Sequence, residues 1–162
     1  MKATYRISEQ DYVNAMKLFS RLTPRLMYVY LASALVLAAI ALFGGVIVSA
    51  GAIGGLTGGI IAILIGRYIV MPIMARRHYR KYKAIQEEFA VELLDDGIRL
   101  SSPDAEGKIT WGKMLKWRQN ESYVLIYPMP RLFHIIPKSV SAQGFDLQAL
   151  TDELQRHVGK PV

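Results

Sequence analysis

The stretch LMYVYLASALVLAAIALFGGVIVSAGAIGGLTGGIIAILIGRYIVMPIM (residues 26–74) decides the fold, because Arg67 is its only charged residue. A helix needs ~20 mostly apolar residues to cross the hydrocarbon core of a bilayer. The stretch is long enough for two such helices, which we predict at residues 27–48 and 53–73. We predict the connecting turn at SAGA (residues 49–52), with Gly44-Gly45 as an earlier alternative. Residues 26–74 are therefore expected to form a transmembrane hairpin.

Two other interpretations of this stretch are weaker. A cleaved signal peptide would begin nearer the start of the chain and would have a shorter apolar run. A buried hairpin in a soluble protein would need more covering material than a chain of 162 residues offers. The sequence favours a membrane protein.

Lysine and arginine side chains on both sides of the hairpin predict its orientation. Cytoplasmic flanks carry an excess of these residues, and the connecting turn has none. Both termini are therefore expected in the cytoplasm, in a two-pass protein of the bacterial plasma membrane. Arg67 either snorkels to the headgroups or marks an ion path, and we favour snorkelling. The flanking cations are Lys2, Arg6, Lys17, Arg21 and Arg25 before the hairpin, and Arg76, Arg77, Arg80, Lys81 and Lys83 after it.

Charge and composition exclude several classes of function. The formal net charge is +7, but residues 1–83 carry 11 Lys+Arg against 2 Asp+Glu, whereas residues 84–162 carry 9 against 11. A nucleic-acid binder concentrates its cations on the folded domain, so we expect no nucleic-acid partner. Cysteine is absent, which excludes disulfides and thiolate chemistry. The three histidines show no metal-ligand spacing, and we predict no metal and no cofactor.

Glycines of the second helix form two stripes at a spacing of four residues. In lipid, helices associate by close approach of their backbones, which glycine permits. One interpretation is that the first helix packs on these glycines through Ala34, Ala38 and Ala41; the other is a homodimer. The candidate helix-packing face consists of Gly51, Gly55 and Gly59 in one stripe, and Gly54, Gly58 and Gly66 in the other.

Residues 75–88 are predicted to form a basic juxtamembrane helix. Its cations are candidate contacts for anionic lipid headgroups, or they serve only to set the topology. The candidate contacts are Arg76, Arg77, Arg80, Lys81 and Lys83.

From residue 89 to residue 162 the pattern is that of a small cytoplasmic β-domain. FAVELLDDGIRLSS (residues 89–102) predicts a hairpin in which Gly97 supplies a positive φ. KITWG and MLKWRQ predict strands, the second with Leu115 and Trp117 paired, and YVLIY and RLFHII predict two more. GFDLQALTDELQRHV has the apolar spacing of an amphipathic helix that closes the domain.

Residues 1–25 are predicted to lie in the cytoplasm as a strand, KATYRI, and an amphipathic helix capped by Ser8. Whether this strand joins the C-terminal sheet is left open by the sequence.

The hairpin, the pair of tryptophan strands, YVLIY, FHIIPKS and the closing helix resemble the YcxB-like C-terminal domain family of bacterial membrane proteins. The resemblance implies a membrane α+β protein: two transmembrane helices with an antiparallel β-domain similar to a pleckstrin-homology fold. It brings no established catalytic residues. The predicted core of the β-domain consists of Trp111, Trp117, Leu125, Phe133 and Ile135.

No pattern of polar residues indicates catalysis, and we predict that the protein is not an enzyme. His134 near Ser139 and Ser141 is an ordinary proximity, and His134 is expected at the edge of the core. A second set of cations either meets lipid phosphates or protects sheet edges. That set is Lys113, Lys116, Arg118, Arg131 and Lys138.

Two functions remain. The first is a membrane-anchored module that senses lipid or binds a protein partner through its β-domain. The second is an accessory or immunity-type protein whose hairpin acts on another membrane protein.

Overall fold

The computed structural model describes residues 2–21 and 23–162 and divides the chain into two compact units. The β-unit contains Met1–Phe19 and Ala75–Val162, and the helical unit contains Ser20–Met74. The helical unit is thus an insertion into the chain of the β-unit.

The β-unit begins with strand β1 (Lys2–Arg6) and helix α1 (Glu9–Phe19). Alternate residues of β1 are buried, as the alternating sequence predicts. The Ser8 hydroxyl accepts a hydrogen bond from the main-chain N–H of Asp11 at 3.0 Å, and the Asp11 carboxylate accepts one from the Ser8 N–H at 3.0 Å. These reciprocal bonds satisfy main-chain donors at the start of α1.

The helical unit consists of α2 (Pro24–Phe43) and α3 (Val46–Ile65). A π-helical turn (Gly66–Val70) joins α3 to α4 (Met71–Lys81), so one continuous helix covers Val46–Lys81. Both helices are long and apolar enough to cross a membrane. Almost none of their apolar length is buried within the protein, which distinguishes them from the core helices of a soluble domain.

The turn predicted at residues 49–52 is wrong, because these residues lie in the first turns of α3. The chain reverses at Gly44 and Gly45 instead. A Cβ on Gly44 would lie 2.5 Å from the carbonyl oxygen of Ile40, so only glycine fits there. The small residues that suggested a turn are tolerated inside the helix, and the Ser49 hydroxyl donates to the carbonyl of Gly44 at 3.0 Å.

Four antiparallel strands form sheet A in the order β1-β2-β3-β4. They are β1, β2 (Glu88–Leu94), β3 (Gly97–Ser101) and β4 (Glu106–Thr110). The strand at the start of the chain therefore does join the C-terminal part, with Lys2 opposite Glu92 and Arg6 opposite Glu88.

Gly97 serves a different purpose from the one predicted. Its φ is not positive, since only Gly144 and Gly159 have positive φ among the described residues. Gly97 is the first residue of β3, and a Cβ there would lie 2.2 Å from the carbonyl oxygen of Ile109 on β4. The glycine permits close approach of two strands, whereas Asp95 and Asp96 form the turn.

Sheet B contains three antiparallel strands, β5 (Lys116–Gln119), β6 (Tyr123–Met129) and β7 (Leu132–Pro137). Trp117, Leu125 and Ile135 are buried in it, and Phe133 is partly buried against the same core. Trp111 is also buried, but it opens a 3₁₀ turn (Trp111–Lys113) rather than continuing β4 as predicted.

The prediction that Leu115 and Trp117 are paired on one strand is wrong, because β5 begins at Lys116. Leu115 is 56% exposed, and Trp117 is 1% exposed. The chain comes out of the 3₁₀ turn at Met114, which takes the interior position instead.

Helix α5 (Leu147–His157) closes the β-unit with Leu150 and Leu154 buried. Its N-cap is Asp146, whose carboxylate accepts a hydrogen bond from the N–H of Ala149 at 2.8 Å. Past α5, the N–H of Val162 donates to the carbonyl of Trp117 at 3.1 Å, and the N–H of Thr4 donates to the Gln143 side chain at 3.1 Å. The outer edges of β5 and β1 are thus partly covered.

Candidate functional site

A cavity of about 620 Å³ lies within the β-unit, where the edge strands β4 and β7 both contribute to its wall. This volume falls in the range of roughly 300–1,000 Å³ that is usual for small-molecule sites. Its wall is mostly apolar and includes Ile7, Phe89, Leu100, Ile109, Leu132 and Phe133. Such a wall suits a hydrocarbon ligand rather than a polar substrate.

A few polar groups interrupt the apolar wall. The hydroxyl of Tyr12 and Nδ1 of His78 form a hydrogen bond of 2.9 Å, which joins α1 to α4. Burial lowers the pKa of His134 below its ordinary value of 6.5, so its imidazole is neutral at pH 7. Arg131 is the cation of the wall, and it is exposed. Within residues 2–21 and 23–162, it has neither a hydrogen bond nor an ion pair.

Two carboxylates also line the cavity, but one of them is already engaged. Glu106 forms an ion pair with Arg99 at 3.1 Å, whereas Glu87 is half-buried. Arg131 is the cation available to an incoming anionic group, whereas the carboxylate of Glu87 in the same wall would repel such a group.

The helix predicted at residues 75–88 is shorter than expected, because α4 ends at Lys81 and a 3₁₀ turn (Lys83–Gln86) follows it. Its predicted basic set is partly neutralised by a residue that sequence reasoning missed. Glu9 of α1 accepts two hydrogen bonds from Arg80, at 2.8 and 3.0 Å, and lies 3.8 Å from Arg76. The bonds from Arg80 lower the pKa of Glu9. No sequence pattern could reveal this, because α1 and α4 lie on opposite sides of the helical unit in the chain.

The other cations of that set remain exposed. Lys81 lies over the ring of Tyr82, with 5.6 Å from Nζ to the centroid. Arg77 and Lys83 have no hydrogen bond or ion pair to any residue that the structure describes. These three side chains are the members of the predicted lipid-contact set that are available to an external anion.

The C-terminal part of the β-unit combines two buried tryptophans, a fully buried central strand YVLIY and a closing amphipathic helix. Residues 93–154 match the model of the YcxB-like protein family. The predicted resemblance is confirmed over that range. No curated protein and no solved structure matches the chain significantly.

The YcxB-like segment supplies part of the cavity and none of the helical unit. It contributes β3, β4 and β7, whereas β1, α1 and α4 come from outside the match. The Tyr12–His78 bond and the Glu9 ion pairs therefore belong to the part of the chain that lies before the YcxB-like segment.

The second predicted set of cations lies within the YcxB-like segment, and its members differ in burial and in their contacts. The set is Lys113, Lys116, Arg118, Arg131 and Lys138. Arg118 is 5% exposed and donates to main-chain carbonyls, so both interpretations, contact with lipid phosphates and protection of an exposed sheet edge, are wrong for this residue. Lys138 donates to the Gln119 side chain at 3.0 Å, and Lys116 lies 5.1 Å from the ring centroid of Tyr127. Lys113 and Arg131 are exposed.

The glycines of α3 do not pack on α2. A Cβ built on any of the six candidate glycines meets nothing within 4 Å. Ala52 is 6% exposed and Ser49 and Leu56 are half-buried, so α2 covers the face of α3 that carries these residues. The interpretation of internal packing on the glycines is therefore wrong, although Ala34, Ala38 and Ala41 of α2 are partly covered as expected.

Proposed function

We propose that the protein is a membrane-anchored, non-catalytic module whose β-unit senses lipid or binds a partner at the inner face of the plasma membrane. The pairing of β1 with β2 carries this proposal. Because one sheet contains strands from before and after the apolar helices, both must lie on the same side of a bilayer. The chain between them then crosses an even number of times, which suits a two-helix anchor.

The strand arrangement supports a pleckstrin-homology-like fold for the β-unit. A four-stranded and a three-stranded antiparallel sheet follow one another, and a helix closes the domain. The cations of both flanks support a cytoplasmic location for the two termini.

The cavity supports lipid sensing as the activity of the β-unit. An apolar wall with one available cation, Arg131, is complementary to an amphiphile with a hydrocarbon chain and an anionic headgroup.

A glycine substitution tests this activity. Gly107 lines the cavity, and a Cβ added there meets no atom within 4 Å. Gly107→Leu should fill part of the cavity and reduce the amount of lipid that co-purifies with the full chain, as measured by native mass spectrometry. Gly112→Leu is the matched control, because Gly112 is equally open and lies outside the cavity wall. Equal lipid content in both variants and the parent would contradict lipid binding in the cavity.

Cysteine labelling tests the orientation. The chain has no cysteine, so in the variants Gly45→Cys and Ser139→Cys the introduced thiol is the only one that can be labelled. On intact cells, a membrane-impermeant maleimide should label the cysteine at position 45 and leave the one at position 139 unlabelled. The opposite pattern would reverse the proposed topology.

A second function, action of the helical unit on another membrane protein, is favoured by the uncovered glycine face of α3. Affinity capture in mild detergent separates the two functions. A partner that is lost on Gly58→Leu but retained on Gly107→Leu supports action through the helices. The reverse result supports the β-unit.

A further inference from the structure

One end of sheet B exposes apolar side chains that the core does not use. Leu115, Met129 and Leu132 are 56%, 60% and 49% exposed. Among the described residues of the β-unit, five large apolar side chains are exposed to solvent. Three of them are at this end of sheet B, and the other two are Tyr82 and Val162. Single exposed apolar residues are normal on a surface, but a group of this kind marks an interaction site.

The strand register brings these three residues to the same end of the sheet. Met129 is paired with Leu132 across the Pro130-Arg131 turn. Leu115 donates its N–H to the carbonyl of Tyr127 at 2.8 Å, so it lies beside the last residues of β6. We call this group the apolar tip: Leu115, Met129 and Leu132.

The sequence around the apolar tip is rich in cations and poor in acidic residues, whereas Glu87 and Glu106 line the same cavity as Arg131 and Leu132. Residues 107–145 contain six Lys or Arg residues and one acidic residue, Glu121. Glu121 is in the β5–β6 turn, at the opposite end of sheet B. The cations nearest to the apolar tip in the chain are Lys113, Lys116 and Arg131.

We infer that the apolar tip inserts into the interfacial region of an anionic bilayer, with Lys113, Lys116 and Arg131 contacting lipid headgroups. Long basic side chains keep their charge in the headgroup layer while their methylene stems cover apolar surface. Apolar burial and attraction to anionic lipid together determine the strength of such interfacial binding. The inference deepens the proposed lipid-sensing function and rests on it for the location of the protein at a membrane.

The absence of cysteine makes the test direct. Met129→Cys in the full chain, coupled to an environment-sensitive fluorophore, is reconstituted into vesicles of phosphatidylcholine with or without phosphatidylglycerol. In anionic vesicles the emission should shift to the blue and be quenched by lipids that carry a spin label on the acyl chain. Glu121→Cys, at the other end of the sheet, should show neither effect.

Charge removal provides the second measurement. The ratio of chains whose fluorophore lies in the bilayer to chains whose fluorophore lies in water should fall about fivefold when one cation is removed, because each cation near an anionic surface contributes that much. The three variants are Lys113→Gln, Lys116→Gln and Arg131→Gln. Added salt should have the same effect on the parent protein.

Several outcomes would overturn the inference. Emission typical of water in both vesicle types would do so, as would a blue shift that acyl spin labels do not quench, since a protein then covers the apolar tip. A shift of equal size in neutral vesicles would exclude the role of the cations.

Failure of membrane anchoring is a separate result. A chain that does not float with the vesicles contradicts the proposed function itself. The labelled chain, added to preformed anionic vesicles, then tests the apolar tip alone, and emission typical of water overturns it.

Discussion

Arg118 donates a hydrogen bond of 2.9 Å from Nη1 to the main-chain carbonyl of Leu18, and the same atom lies 2.9 Å from the carbonyl of Phe19. Leu18 and Phe19 are the last residues of α1, whose terminal carbonyls have no partner within the helix. A cation at a helix C-terminus also interacts favourably with the helix dipole. The buried guanidinium of β5 therefore fixes the end of α1, at the point where the chain leaves the β-unit.

Arg118→Ala should destabilise the β-unit by about 2–3 kcal/mol, because it leaves buried carbonyls without a donor. The measurement is chemical unfolding of the full chain in detergent, followed by tryptophan emission. Arg99→Ala is the matched control. Arg99 is an arginine of the same unit in exposed ion pairs with Glu92 and Glu106, and its loss should cost at most about 1 kcal/mol. Equal losses in both variants would contradict the role of Arg118.

Trp111→Ala should cost about 3–5 kcal/mol through the cavity it leaves. The Trp111 indole is buried, donates to the carbonyl of Asp95 at 3.1 Å and stacks on the ring of His157 with 5.7 Å between centroids. Trp111→Phe retains most of the packing but not the hydrogen bond to Asp95, and its free energy of unfolding should fall by only about 1 kcal/mol. A Trp111→Ala protein that unfolds at the denaturant concentration of the parent would exclude this position from the core.

Acidification should destabilise the β-unit through His134. Its pKa is lowered by burial in the folded protein, so the unfolded chain binds the proton more strongly. The contribution of neutral His134 to the free energy of unfolding is fully present above the ordinary pKa of 6.5. It declines as pH falls towards the pKa of His134 in the folded protein, by at most about 1.4 kcal/mol per pH unit. His134→Gln should remove this part of the pH dependence. Titration of the imidazole by NMR should give a midpoint below 6.5, and a midpoint above it would contradict the prediction.

Substitutions on the two faces of α3 should have different consequences. Ala52→Leu introduces a larger side chain on the face covered by α2 and should destabilise the hairpin by about 1–3 kcal/mol. Gly58→Leu adds a side chain in open space and should leave the hairpin intact. If a second copy packs on the glycines, the same variant should be a monomer in detergent where the parent is a dimer. A parent that is monomeric at every ratio of detergent to protein excludes the homodimer.

The existence of most elements could be predicted from local patterns. A long apolar run predicts two helices, alternation predicts the strands, and the spacing of Leu150 and Leu154 predicts the closing helix. Positions that depend on tertiary packing could not be predicted. The turn sequence predicts a positive φ for Gly97. Glycine is required there for another reason, the close approach of Ile109, which lies on another strand.

The candidate site was less predictable than the fold. The cavity has walls from β1, α1, α4 and β7, which are distant in the chain, and no motif connects them. Basic residues were recognised by composition, but Glu9 determines which of them are available, and Glu9 reaches Arg80 only after α1 and α4 have packed. The spacing of two residues between Leu115 and Trp117 predicts that they are paired on one strand, and the 3₁₀ turn before β5 changes that relationship.

The pairing of Lys2 with Glu92 also sets an order of events during synthesis. β1 leaves the ribosome first, but its partner β2 follows only after both apolar helices have been made. The pairing of β1 with β2 in sheet A therefore forms late. The hydrogen bond from Arg118 of β5 to the end of α1 also forms only after both helices have been made. If only one helix entered the bilayer, β1 and β2 would be separated by the membrane and the sheet would lack an edge strand. In the proposed topology, a complete sheet A would therefore form only in chains whose two apolar helices have both crossed the bilayer.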